Sequence, residues 1–158
     1  LIQFSHRPKV NNSISSNEVS KIIEDKAGHI WIGTYGKGID VLNPKTREMK
    51  HYKASSAPGS LSNDVILDLY LDYEGHIWVG TMSGGLNLWD EKTQRFKIYQ
   101  KSGKQGISDN IVRSIYQPKP GVLYLATEKG LNIFDIKSNK FVNYQNKNND
   151  PYSLSDDA

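Results

Sequence analysis

The sequence contains no cysteine among its 158 residues. This absence excludes disulfide bonds, thiolate metal sites and a cysteine nucleophile, but it leaves the cellular compartment open. Long hydrophobic runs are missing as well. The longest, from Val65 to Leu71, is interrupted by an aspartate and falls far short of the roughly 20 apolar residues that a membrane helix needs. We therefore expect no membrane contact from this part of the chain.

A strong charge of one sign is also lacking. Lys and Arg number 20 and Asp and Glu number 17, for a net charge of +3. The two signs are interspersed, and no block of five or six like charges occurs. Nucleic-acid-binding proteins usually gather Lys and Arg into a stripe, so we expect no nucleic-acid partner.

Apolar residues at helical spacing over ten or more positions are absent too. The apolar residues instead form runs of four to eight bounded by turn residues, as in HIWVGT, GLNLWD and RFKIYQ. Such runs are typical of β-strands. The breaks between them are turn-forming, because DKAG and DYEG place Asp shortly before Gly and NPKT places Pro at the second position of a turn.

What the sequence does contain is a repeat. GHIWIGTYGKG begins at Gly28 and GHIWVGTMSGG begins at Gly75, 47 residues later. A third copy places Tyr124 46 residues after Trp78, and it has lost one residue between Thr127 and Gly130. Four short strands in each unit of about 45 residues, repeated without helices, predict an all-β fold of β-propeller blades. We expect a fragment of about three blades.

The repeat sets the predicted domain boundaries. Residues 1–12 are the tail of a preceding blade and a linker, and residues 13–59, 60–105 and 106–152 are blade repeats 1, 2 and 3. Residues 153–158 begin a further repeat, because SLSDDA matches SLSNDV at Ser60–Val65. The chain starts at Leu1 without a signal-peptide pattern, so we expect an interior piece of a longer protein.

The repeated aromatic residues are predicted to build the blade core. HIWIGT is expected to be the second, central strand of its blade, with its tryptophan wedged between neighbouring blades. Small residues at Gly33 and Gly80 leave room for a bulky neighbour, and Gly38 opens the third strand, where a positive φ is often needed. The predicted core aromatics are Trp31, Trp78, Tyr124, Tyr52, Tyr99 and Tyr144.

These residues resemble the two-component regulator propeller repeat, found in the sensor region of hybrid two-component systems of Bacteroides-type bacteria. The second copy carries the pattern best, with Asp72, Gly75, Trp78, Gly80 and Thr81. The third departs from it, because Pro118 stands in place of Asp, Tyr124 in place of Trp and Ala126 in place of Gly. The likeness covers essentially the whole chain.

The resemblance implies a function that the residues alone do not. Proteins of this family are inner-membrane receptors with two seven-bladed propellers and an immunoglobulin-like domain in the periplasm, followed by a cytoplasmic histidine kinase, receiver and DNA-binding domain. They sense carbohydrate fragments and induce the genes that degrade the glycan. We therefore expect a periplasmic sensor fragment whose parent recognises an oligosaccharide, without a cofactor.

A candidate ligand site follows from the same resemblance. The loops between the second and third strands, and those between blades, are expected to share one face of the propeller. They differ between copies while their surroundings repeat, as expected for a generic scaffold with a specific rim. Tyr35 could stack on a sugar, and Lys37, Lys129 or Arg113 could meet a uronate or sulfate. The candidate residues are Tyr35, Lys37, Asn63, Asp64, Met82, Ser83, Asp109, Asn110, Arg113, Glu128 and Lys129.

Catalytic and metal sites find little support. A glycosidase needs two carboxyl groups facing one bond, but Asp25 and Asp72 are equivalent turn residues expected to bind backbone amides. His29 and His76 repeat without a carboxylate that pairs with both, so we predict no metal site. His6 and His51 belong to no recognisable cluster. Two alternatives stay open: a propeller-type carbohydrate-active enzyme, and a purely structural interaction module.

The open ends of a three-blade arc predict self-association. The first and last blades would each expose an apolar face and unpaired strand edges. We therefore expect a homo-oligomer, most simply a dimer.

Overall fold

The computed structural model describes residues 3–103 and 106–157. Leu1 and Ile2 of the predicted tail, Gln105 at the predicted boundary between repeats 2 and 3, and Ala158 lie outside these residues. The described residues form strands, turns and bends but no helix, so they hold no helix long and apolar enough to cross a membrane. The twelve strands are β1 Val19–Glu24, β2 Ile30–Thr34, β3 Ile39–Leu42, β4 Met49–Tyr52, β5 Ile66–Leu71, β6 Ile77–Thr81, β7 Leu86–Asp90, β8 Arg95–Tyr99, β9 Val112–Lys119, β10 Val122–Thr127, β11 Gly130–Asp135 and β12 Lys140–Tyr144.

The strands form three four-stranded sheets in which neighbours in sequence pair antiparallel. We call β1–β4 blade 1, β5–β8 blade 2 and β9–β12 blade 3. The predicted all-β fold of propeller blades is confirmed. Within HIWIGT, Ile30–Thr34 forms β2, a central strand, as expected. In each blade, the turns after the first and third strands lie at one end, the turn end. The loop after the second strand and the connection to the next blade lie at the other, the loop end.

Glycine is required where the loop returns to the third strand. Gly38 has a φ of +78°, which L side chains rarely adopt. A Cβ built there would lie 2.1 Å from the carbonyl oxygen of Tyr52. Gly85 and Gly130 repeat both features, with φ values of +80° and +88°. The glycine recurs because the third strand starts against the end of the fourth.

One apolar core fills the space between blades 1 and 2. Trp31 of blade 1 is 3% exposed and packs with Ile66 and Leu69 of β5, which are fully buried. Gly33 makes this approach possible, since a Cβ there would lie 2.7 Å from the Ile66 side chain. The tryptophan thus lies between blades, as the sequence predicts.

A second core repeats the arrangement between blades 2 and 3. Trp78 is fully buried against Phe134, with ring centroids 5.9 Å apart in an edge-to-face contact. At this interface the repeated glycine, Gly80, lies against the backbone of the next blade. A Cβ at this position would lie 2.6 Å from the carbonyl oxygen of Val112 in β9. Two equivalent interfaces, each with its own tryptophan, explain why the sequence repeats.

A buried aspartate joins the first strands of all three blades. Asp68 of β5 is 4% exposed. It forms an ion pair with Lys21 of β1 at 2.9 Å, and it accepts a hydrogen bond from the backbone N–H of Ile115 in β9 at 2.8 Å. Removal of this carboxylate would leave a buried N–H unpaired, so Asp68 is part of the frame.

The two outer faces are partly apolar and exposed. On blade 1, Ile22 is 59% exposed, and on blade 3 Tyr116 is 59% exposed. Two aromatic residues that were predicted to lie in the core are less buried than expected. Tyr124 is only half-buried and Tyr144 is 49% exposed, whereas Trp78 is fully buried. The prediction that Tyr144 lies in the core is wrong for the described residues, because none of them forms a sheet on that side of blade 3.

Candidate functional site

The two loop types predicted to share a face do meet at the loop end. The N–H of Gly38 donates to the carbonyl oxygen of Asp64 at 2.9 Å, and Gly85 donates in the same way to Asn110. Gly130 donates to Asp157 at 2.8 Å. Each loop within a blade is therefore held by the connection that leaves that blade.

The side chains of Asp64 and Asn110 are used by the scaffold. Asp64 Oδ1 accepts the backbone N–H of Ala54 at 2.7 Å, and Asn110 Oδ1 accepts that of Lys101 at 2.7 Å. Asp157 repeats the contact with the N–H of Asn146. A carboxylate or amide that recurs in the same bond in three blades has a structural role. These positions are therefore weak candidates for ligand contact.

Asn63 and Asp109 also act within their own turns. Asn63 Oδ1 accepts the N–H of Val65 at 2.9 Å, and Asp109 Oδ1 accepts that of Ile111 at 2.9 Å. Both are turns in which a side chain bonds the backbone two residues on. Asn63 donates in addition to Ser83 Oγ at 2.9 Å, so the structure brings these two predicted residues together.

Arg113 and Glu128 form a pair at the same end. Arg113 Nε donates to Glu128 Oε2 at 2.7 Å, and both side chains are partly exposed. The guanidinium is already matched to a carboxylate, which weakens the expectation that it meets an anionic sugar. The residues left exposed are Tyr35 at 51%, Lys37, Ser83 and Lys129, while Met82 is half-buried.

A buried polar pair at the loop end was not predicted. Asn87 on β7 is fully buried. Its Oδ1 accepts the N–H of Ser62 at 3.0 Å, and its Nδ2 donates to Ser62 Oγ at 2.7 Å. Asn132 binds Ser108 in the same way. At the equivalent place in blade 1, Asp40 Oδ2 accepts hydrogen bonds from both the backbone N–H and the hydroxyl group of Ser15. The available sequence signal was an Asp or Asn that recurs two residues after the repeated glycine, at Asp40, Asn87 and Asn132.

An Asp–His–Trp cluster lies at the turn end of blades 1 and 2. Asp72 Oδ2 accepts the Trp78 indole N–H at 2.9 Å and faces His76 Nδ1 at 2.9 Å, while Oδ1 accepts the backbone N–H of His76. Asp25 makes the equivalent contacts with His29 and Trp31. The predicted hydrogen bonds from turn amides to Asp25 and Asp72 are present. The hydrogen bond that each aspartate accepts from a tryptophan was not predicted. In blade 3, Asp, His and Trp are all replaced together, by Pro118, Val122 and Tyr124.

The cluster changes the acidity of Asp25. Burial alone would raise the pKa of this carboxyl group. The hydrogen bonds from the Trp31 indole and from the backbone and imidazole of His29 outweigh burial, so the pKa lies below its usual value. The carboxylate form is therefore the one that the turn is built to hold.

His51 also has partners that the sequence did not reveal. Its Nδ1 lies 2.6 Å from Asp40 Oδ1 and its Nε2 lies 2.8 Å from the carbonyl oxygen of Asn11. The expectation that His51 belongs to no cluster is wrong, because the strand register of β3 and β4 places it opposite Asp40. The contacts fasten the segment before blade 1 to its outer strand.

Among the residues that the structure describes, one group of side chains has ligand atoms close enough for a metal ion. Asp72, Glu74 and His76 each offer an atom within 4.8 Å of the others. Asp72 already accepts from Trp78, and Glu74 accepts from Gln117 Nε2 at 3.1 Å. Hydrogen bonds within the protein account for the group.

A cavity of about 790 Å³ lies between blades 1 and 2 at the turn end. We call it the blade 1–2 groove and define it by Ala27, His29, Lys50, Tyr52, His76 and Lys92 among its lining residues. Trp31 and Trp89 also line it. The groove is at the opposite end from the predicted loop face, and no sequence pattern predicted it.

The fold and the repeated contacts define an arc of β-propeller blades. Residues 13–36 and 60–83 match the sequence model of the two component regulator propeller. These segments cover the first two strands of blade 1 without the end of its loop, and the corresponding part of blade 2. These two segments thus carry the two-component regulator propeller repeat, and the resemblance seen in the sequence is confirmed there.

Solved structures share the fold. The extracellular domain of the hybrid two component system BT3049 from B. thetaiotaomicron has 23% sequence identity and a TM-score of 0.79, over 89% of this chain and 20% of that one. The corresponding domain of BT4673 from the same organism has 26% identity and a TM-score of 0.67, over 94% of this chain and 18% of that one. A structure of U3-55K has 13% identity and a TM-score of 0.63, over 79% and 38%.

The two extracellular domains are much longer than this chain. The chain spans about a fifth of the length of the two extracellular domains. A comparison with curated proteins found no match. The matched repeat and the likeness to the BT4673 domain together support assignment of this chain to part of an extracytoplasmic sensor region. The likenesses to BT3049 and U3-55K, at 23% and 13% identity, show the fold alone.

Proposed function

We propose that this chain is part of the periplasmic sensor of a hybrid two-component system, where it takes part in recognising an oligosaccharide. The signal is relayed to a histidine kinase that regulates glycan-utilisation genes. The observation that carries the proposal is the tandem two-component regulator propeller repeat, within a fold shared with extracellular domains of such systems.

The role proposed for the chain is binding without catalysis. The described carboxylates most suggestive of acid–base chemistry, Asp25 and Asp72, each accept several hydrogen bonds from their own turn. An acid and a base for glycoside cleavage must instead face a common bond across one cleft. We therefore expect this chain to bind an oligosaccharide without cleaving it.

Calorimetry combined with product analysis tests the proposal. The chain is titrated with a panel of oligosaccharides, and each mixture is then analysed by chromatography. We expect heat of binding for at least one oligosaccharide and no change in its length. Shortened products would favour the carbohydrate-active enzyme, and silence in both measurements would favour a structural interaction module.

Self-association through the outer faces is part of the proposal. The exposed apolar side chains lie on both faces of the arc: Val19 and Ile22 on blade 1, and Tyr116, Val142 and Tyr144 on blade 3. Within the chain, equivalent faces pack against each other, so a second copy offers a matching surface. We expect sedimentation at micromolar concentration to show a dimer, and a monomer would contradict this.

A further inference from the structure

The blade 1–2 groove has the size of a ligand site. Its volume of about 790 Å³ lies within the roughly 300–1,000 Å³ typical of small-molecule pockets. It opens between the turns after β1 and β5 and the turns after β3 and β7. Hairpin turns frame it on both sides, whereas many candidate side chains at the loop end already form hydrogen bonds within the protein.

Three aromatic rings line the groove, but Trp31 and Trp89 are only 3% and 8% exposed, so Tyr52 offers a ligand more aromatic surface than either tryptophan. Tyr52 stacks on Trp31 with ring centroids 6.0 Å apart and planes 4° apart, and Trp89 meets both rings edge-on. Tyr52 is half-buried, and burial raises the pKa of its hydroxyl group. Aromatic surface beside polar groups suits the C–H faces of a sugar ring.

The polar lining is mixed in sign. Four lysines and five carboxylates line the groove, so its charge is nearly balanced. His29 and His76 both line it, each with Nδ1 held by its own aspartate. In the tautomer that these carboxylates favour, Nδ1 carries the proton and Nε2 is an acceptor. Balanced charge with many donors and acceptors fits a neutral polyhydroxyl ligand better than an anion.

The interface that holds the groove differs at two positions from the interface between blades 2 and 3. Between blades 2 and 3, Gln117 is fully buried, accepts the N–H of Tyr73 at 2.7 Å and donates to Glu74 at 3.1 Å. At the equivalent positions between blades 1 and 2 stand Leu71 in place of Gln117 and Ala27 in place of Glu74. The short side chain of Ala27 leaves space where Glu74 and Gln117 join.

We infer that the blade 1–2 groove binds a neutral oligosaccharide of a few sugar rings. The apolar face of a sugar ring lies against the exposed part of Tyr52, and hydroxyl groups bond to the lysines, carboxylates and imidazoles of the lining. This inference rests on the proposed function, but it moves the ligand from the predicted loop face to the opposite end of the blades.

Calorimetric titration of the chain with neutral tetrasaccharides of glucose, mannose, galactose and xylose tests the inference. Ala27→Trp fills the groove at a position where the next repeat carries the longer Glu74, so the turn accepts a side chain there. Lys92→Ala removes an amine of the lining. Lys137→Ala is the matched control, because Lys137 holds the equivalent place in the hairpin of blade 3. Circular dichroism and thermal unfolding verify that each variant folds.

We expect at least one tetrasaccharide to bind. Ala27→Trp should weaken it about tenfold or more, a loss of about 1.4 kcal/mol. Lys92→Ala should weaken it severalfold, and Lys137→Ala should leave it unchanged. Undiminished binding of the tetrasaccharide to a folded Ala27→Trp variant would refute the inference that it binds in the groove. If Tyr35→Ala weakens binding while Ala27→Trp does not, the ligand lies at the loop face, and only the groove inference fails. Binding by none of the oligosaccharides, charged ones included, would refute the proposed function as well.

Discussion

Replacement of Asp72 by Asn tests whether the Asp–His–Trp cluster holds blade 2 together. The substitution keeps size and shape and can keep the acceptor that bonds the backbone N–H of His76. It replaces Oδ2, which accepts the Trp78 indole N–H at 2.9 Å, with an amide that donates. His76 can adapt by exchanging its tautomer, but Trp78 has only a donor. The Trp78 N–H is therefore left without a partner.

The expected cost follows from burial. Trp78 is 0% exposed and the side chain of Asp72 is 0% exposed, so water cannot readily replace the lost acceptor. A buried donor left unpaired costs about 1–3 kcal/mol of stability. Asp25→Asn should cost less, because the side chain of Asp25 is 15% exposed and water can reach the turn.

Urea denaturation followed by circular dichroism measures both effects. A double-mutant cycle with Trp78→Phe isolates the bond, and we expect a coupling free energy of about 1.5–3 kcal/mol for a hydrogen bond to a charged acceptor. Asp90→Asn, at an exposed hairpin turn, controls for loss of a carboxylate. A coupling below about 0.5 kcal/mol would refute the reasoning, since this is the usual error of additivity.

Three further predictions concern the scaffold. Gly80→Ala should destabilise the chain by about 1–3 kcal/mol in urea, because the added methyl group meets the Val112 carbonyl oxygen at 2.6 Å. Ala126→Gly, at the equivalent exposed position, should change stability by less than half as much, and equal losses would contradict the packing argument. Gln117→Leu should cost about 1–3 kcal/mol because it leaves a backbone N–H unpaired, and unchanged urea unfolding would be evidence against this. The lowered pKa of Asp25 stabilises the fold above the unfolded carboxyl pKa of about 4. This contribution should fade as pH falls through the folded value, and Asp25→Asn should flatten the acid limb of the urea midpoint plotted against pH.

Much of the fold could be predicted because its determinants are local. Alternating apolar runs, turn glycines and a period of 47 residues placed β2 in the blade centre and the tryptophan between blades. The outward exposure of Tyr144 could not be predicted from the repeat, because a side chain is buried only where a neighbouring sheet covers it.

The candidate site was harder to predict for the same reason. In the sequence, Asp64 and Tyr35 are equally good candidates for ligand contact, because both lie in predicted loops. In the structure, Asp64 accepts a hydrogen bond from Ala54, whereas Tyr35 is 51% exposed. The residue type determines which hydrogen bonds a side chain can form. Only the fold determines whether other groups of the protein already take up those bonds. The groove depends on Ala27 facing a neighbour in the next blade, and no short sequence window contains both.

The sequence by itself determined the strands, their antiparallel order and the number of blades, because backbone preference and alternation act between residues close in the chain. The tertiary structure alone decided which polar groups remain available and where space remains between the blades. Those properties depend on contacts such as that of Asp68 with Ile115, 47 residues apart, whose geometry is set only when the sheets pack.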